Sequence, residues 1–137
     1  MMAVLNALEG ARLLITTEKD VQRQIGQCFK AAGLVFSREV PVEGGIIDFY
    51  VGLSRTAIVP GQGRLPMPLP ISGPRFKAVG VEVKIGGAKR AIYRQLCRYA
   101  EDEAIDSLVL VTAAAMGLPP TINGKPAAVF SLGKAWL

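Results

Sequence analysis

Glu82 and Lys84 stand two residues apart in a run, 79–85, where apolar residues at 79, 81, 83 and 85 alternate with Gly80, Glu82 and Lys84. This is the period of a β-strand with one buried face, so the carboxylate and the ammonium point the same way, their Cβ atoms roughly 7 Å apart. At that spacing both can reach one bound metal ion and one attacking water. A solvent-facing ion pair on an edge strand has the same pattern, so other acidic residues must decide between the two. Asp48 lies inside the apolar run 46–52. Aspartate is a poor strand residue there, and an unpaired buried charge is costly. A buried aspartate is paired, hydrogen-bonded or bound to a metal, a bond to a nearby turn being the structural alternative. Glu18 falls on the core-facing line of the next helix upstream, at its first turn. It either faces a polar site or serves as a favourable charge at a helix N-terminus.

The composition narrows the chemistry. There is no histidine among the 137 residues, which removes Ser-His-Asp and Cys-His catalysis, histidine zinc sites and nucleases built on a histidine base. Hydrolysis would have to run on carboxylates, lysine and a hard metal ion held by oxygen ligands. The net charge of +5 points to a polyanionic partner. The length is that of one domain, 1–137, and no apolar run reaches the roughly 18 residues of a membrane span. The first residues lack the basic start and long apolar core of a secretion signal. Cys28 and Cys97 have no Cys-x-x-Cys or histidine partner and read as packing residues of a reduced, cytoplasmic protein.

The elements that must carry these groups follow from pattern and punctuation. Residues 1–16 read as a short apolar helix or turn. Thr17 is a helix N-cap with Asp20 placed as in a capping box. The helix runs to about Ala32 and is stopped by Gly33, with Val21, Ile25, Cys28, Phe29 and Ala32 as its buried stripe. Two strands, 35–42 and 46–52, turn at Gly44-Gly45. Residues 54–77 are a Pro/Gly-rich insertion carrying Arg55, Arg64, Arg75 and Lys77, with a short strand expected near 55–59. After the strand 79–85, a helix is expected from about 88 to 103 with Ala88, Ile92, Leu96 and Tyr99 inward and Gln95 beside them. Arg90, Arg94 and Arg98 form a row on the opposite face that is either solvated or in contact with phosphate or a dimer partner. Lys89, beside Gly86-Gly87, is the better phosphate candidate. The run 106–112 is continuously apolar, as in a strand buried within parallel pairing. Pro119-Pro120 and Asn123-Gly124 mark a loop, 127–132 a last strand, and Trp136 a packing anchor.

In this order the chain resembles the PD-(D/E)XK, or restriction-endonuclease-like, nuclease superfamily over about residues 17–112. Ile47-Asp48-Phe49 matches the first motif, with Ile47 where the pattern has proline, and Glu82-Val83-Lys84 matches the second. Gln95 and Tyr99 are similar to the Gln-x-x-x-Tyr signature of the RecB-type branch. The resemblance implies an α/β fold: a restriction-endonuclease-like core in which helices flank a central mixed β-sheet, in the order αβββαβ plus a C-terminal strand. It further implies a DNA nuclease in which Asp48, Glu82 and the Val83 carbonyl ligate Mg²⁺ or Mn²⁺, with Glu18 completing the site directly or through water. Lys84 would orient the attacking water, Gln95 would support Lys84 or the phosphate, and Tyr99 would contact the nucleic-acid backbone or pack behind the site. Lys89 and Arg94 would bind DNA, and a homodimer or a larger nucleic-acid-processing complex is consistent with so small a chain. The competing expectations are a non-catalytic nucleic-acid-binding or assembly subunit that keeps the fold, and a basic α/β module whose motif match is accidental.

Overall fold

The computed structural model describes residues 1–52 and 77–133. The expected strand near 55–59, the insertion apart from Lys77, and Trp136 lie outside the described residues. Among the described residues three helices, α1 (Met2–Glu9), α2 (Glu18–Ala31) and α3 (Lys89–Tyr99), flank six strands: β1 (Val35–Val42), β2 (Gly45–Gly52), β3 (Ala78–Lys84), β4 (Ser107–Thr112), β5 (Thr121–Ile122) and β6 (Lys125–Ser131). The sheet order is β1-β2-β3-β4-β6-β5. Strands β1 to β3 pair antiparallel, β3, β4 and β6 pair parallel, and β5 runs antiparallel to β6. The fold is α/β with a mixed sheet. Among the described residues, no helix is long and apolar enough to cross a membrane.

Helix α2 begins where its cap says it should. Thr17 is extended, and its hydroxyl accepts the Asp20 N–H at 3.1 Å. The capping box is not completed, because the Asp20 carboxylate takes the Thr16 hydroxyl at 2.6 Å and Arg23 at 2.7 Å instead. These bonds and the adjacent guanidinium hold Asp20 below the usual carboxylate range. Val21, Ile25 and Phe29 are fully buried, whereas Cys28 is half-buried and Ala32 is an exposed C-cap rather than part of the stripe. Phe29 meets Phe49 edge-on at 5.3 Å between centroids, with Phe36 against both. Helix α3 ends at Tyr99, four residues short of the expected limit, and a short strand, β5, occupies part of the expected 119–124 loop.

The larger correction concerns β3. It lies inside the sheet, and every residue from 78 to 83 is buried. Val79, Val81 and Val83 pack with α2 on one face. The other face carries Gly80 and Glu82, under the cluster that includes Ile47, Leu96, Tyr99 and Leu108. A Cβ on Gly80 would stand 2.5 Å from Ile47 Cδ1 and 3.2 Å from Leu108 Cδ2, so the alternating pattern reflects close packing rather than solvent. Each fully buried Val or Leu here contributes about 1.5–3 kcal/mol, enough to outweigh the weak strand propensity of the glycine. The solvent-facing ion pair on an edge strand is thereby excluded. Glu82 is 3% exposed.

The β1–β2 turn is seated on α3. Gly44 has φ +84, and a Cβ there would meet Arg98 Cβ at 2.5 Å. The turn needs glycine twice over, for its left-handed backbone and for the approach of the helix. Gly44→Ala is expected to cost about 2–4 kcal/mol, read as a lower urea midpoint at unchanged slope.

Candidate active site

The site forms where β2 and β3 part. Their ladder ends at Phe49↔Val81, and Asp48 and Glu82 are the next residues on the two strands. Side chains take over the backbone's hydrogen bonds there. The Val83 N–H donates to Asp48 Oδ2 at 2.7 Å, and the Asp48 N–H donates to Glu82 Oε1 at 3.3 Å. On the other edge of β2 the pairing with β1 skips Glu39 and Asp48, and Glu39 has φ 53. Ile47 and Phe49, two residues apart, belong to different cores. The chain therefore twists sharply through Asp48.

Each carboxylate is held by a different helix layer. From α2, Gln22 Nε2 donates to Asp48 Oδ1 at 3.1 Å, and the Gln22 Oε1 accepts from Arg38 at 3.1 Å. The Arg38 guanidinium lies 5.0 Å over the Phe49 ring. From α3, the Tyr99 hydroxyl stands 3.1 Å from Glu82 Oε2 and 3.0 Å from the Ile46 carbonyl, and it accepts from Gln95 Nε2 at 2.7 Å. Its single proton serves one of the two acceptors at a time. Lys84 Nζ is 4.0 Å from Glu82 Oε2, with its side chain 29% exposed. Glu18 Oε2 accepts a long bond, 3.4 Å, from the Ile85 N–H just beyond Lys84.

Burial, and then the adjacent Asp48 charge and its hydrogen bond, push Glu82 up from 4.5 to about 8, although Lys84 and Tyr99 pull the other way. Tyr99 is raised as well, by burial first and then by the Glu82 charge. Near neutral pH the Asp48–Glu82 pair thus retains a proton, as expected of a carboxyl group buried beside a second carboxylate. Tyr99→Phe removes a bond that favours the ionised form of Glu82. It is expected to move the Glu82 titration further up, read by the carboxyl carbon shift in NMR, and to cost about 1–2 kcal/mol of stability.

The structure thus brings Asp48, Glu82 and Lys84 together, with Val83 tied to Asp48 through its N–H. Glu18 stands at the margin, and among the described residues no group of three or more His, Cys, Asp or Glu side chains is placed to hold a metal ion. A direct three-carboxylate ligand set is therefore not formed. The available donors are two carboxylates on adjoining strands and backbone carbonyl oxygen. Such a hard, oxygen-only set suits Mg²⁺, which takes one or two protein carboxylates and fills its remaining positions with water and phosphate. A cation there would also replace the proton that the pair retains.

Gln95 is half-buried and turned to Tyr99 rather than to Lys84. Tyr99 is fully buried behind Glu82, the second of its two expected places. Lys89 and Arg94 are exposed and make no bond to the carboxylates. Gln22 and Arg38 were not anticipated. Gln22 falls one helical turn after Glu18, on the same line of α2, a spacing that would have exposed it. Arg38 carries no such signal on its edge strand. Comparison of the chain with protein-family models, curated proteins and solved structures gives no match.

Proposed function

We propose that this chain is a metal-dependent DNA nuclease of the PD-(D/E)XK type, built on a restriction-endonuclease-like core. The observation that carries the reading is the pairing of half-buried Asp48 with buried Glu82, with Lys84 beside them, at the point where the β2–β3 ladder opens. Asp48 and Glu82, with the Val83 carbonyl, would hold Mg²⁺ or Mn²⁺, and Glu18 would act through water. When bound, the ion supplies Lewis acidity and countercharge to the scissile phosphodiester. Lys84 orients the attacking water and stabilises negative charge on the phosphoryl oxygens. Gln22 and the Val83 N–H fix the rotamer of Asp48, and Tyr99, backed by Gln95, fixes that of Glu82, so both carboxylates are set before substrate arrives.

Labelled single-stranded, duplex and branched DNA should be cut in Mg²⁺ or Mn²⁺ and spared in EDTA. Asp48→Ala should abolish the cutting, since it removes a ligand and leaves the Val83 N–H unpaired. Equal cutting by Asp48→Ala would point to a contaminant and overturn the assignment, whereas salt-sensitive binding without cutting would replace this reading with that of a non-catalytic nucleic-acid-binding subunit.

A further inference from the structure

We propose that a depression at the start of α3 binds an unpaired stretch of nucleic acid, with Tyr93 stacking on a base and Lys89 and Arg90 holding the flanking phosphates. The depression, about 510 Å³, lies between these three residues and the segment 115–117 beyond β4. Tyr93 is 38% exposed, one of the few large hydrophobic side chains at the surface. Among the described residues Lys89 and Arg90 have no ion-pair partner, and no carboxylate lines the depression. Unpaired cations around an exposed aromatic ring suit a backbone whose bases are free to stack. A duplex hides its base faces, which favours a single-stranded segment.

The location supports this occupant. Lys84 pairs with Thr112 in register, so the segments leaving β3 and β4 emerge together at the end of the sheet that carries Lys84. The first of these segments runs into α3 and the second into residues 115–117, and the depression lies between them. A strand held there would lead toward the carboxylate pair, and the inference rests on the nuclease reading for that role.

Its test does not require cutting. In EDTA, binding of a fluorescein-labelled oligothymidine would be followed by anisotropy over a range of salt concentrations, with a duplex of the same length alongside. Wild type should bind the single strand more tightly than the duplex. Tyr93→Ala should weaken single-strand binding about tenfold while Tyr93→Phe retains it. Arg90→Ala should reduce the salt slope by about 0.7, and Lys30→Ala, on the other helix layer, should leave it unchanged. Single-strand binding unaltered in a folded Tyr93→Ala protein, or duplex bound as tightly as single strand, would overturn the proposal. Binding as expected from a wild type that never cuts would support this surface and remove the nuclease reading alone.

Discussion

Lys84→Ala is expected, on the nuclease reading proposed above, to lower the cleavage rate about 10²–10³-fold, the usual effect of removing one group that stabilises developing charge in the transition state. DNA binding should change little, since the ammonium is one cation on a chain of net charge +5. The ammonium, 4.0 Å from Glu82, also favours the ionised form of that carboxyl. Metal affinity should therefore fall as well, and rates must be compared at saturating metal. Any deficit that remains there measures the action of Lys84 on the phosphate and water. Lys84→Arg should restore little, because a planar fork cannot take the place of a compact ammonium between a buried carboxylate and a phosphoryl oxygen. Full activity in either variant, with Asp48→Ala inactive, would remove Lys84 from the reaction.

The second large effect is on stability and its dependence on pH. Glu82 titrates near its ordinary 4.5 when unfolded and at about 8 when folded. Below the lower value both states hold the proton and the difference vanishes. Between the two values the folded state alone keeps it, so stability falls as pH rises and levels off above the upper value. At about 1.4 kcal/mol per unit, the loss amounts to a few kcal/mol. Glu82→Gln keeps the shape and removes the titration. In EDTA its urea midpoint should be flat between pH 5 and pH 8, and higher than that of wild type at pH 8. Mg²⁺ at pH 8 should raise the wild-type midpoint and leave that of Glu82→Gln unmoved. A flat wild-type profile would mean that Glu82 ionises freely, untouched by its burial and by the Asp48 charge.

Much of this arrangement was legible in local signals. Thr17 as a cap, Gly33 as a stop, and the apolar run 106–112 as an interior strand follow from rules that act within one element. The meeting of Asp48 with Glu82 was legible because a charge inside an apolar run demands a partner. The rest depends on what lies across the sheet. Gly80 and Glu82 look solvent-facing in a strand pattern. They are buried because Ile47, from the neighbouring strand, and Leu108, from the next, close over Gly80 and because Tyr99 covers Glu82. Tyr99 itself was legible as an inward residue of α3, but not as the donor to Glu82, since that contact depends on how the Gly44 turn seats the helix. Arg38 reads as an ordinary edge-strand arginine until Gln22 and Phe49 are in place on either side of it.

The substitution of side chains for backbone at the end of the β2–β3 ladder makes one amide a reporter. The Val83 N–H depends on Asp48 Oδ2 rather than on a neighbouring strand. Its deuterium uptake therefore tracks where the Asp48 carboxylate points, whereas the Val81 and Val79 amides track the opening of the sheet. The protein carries, without any added label, a readout of its own acidic pair that is separate from the unfolding of the strand beneath it.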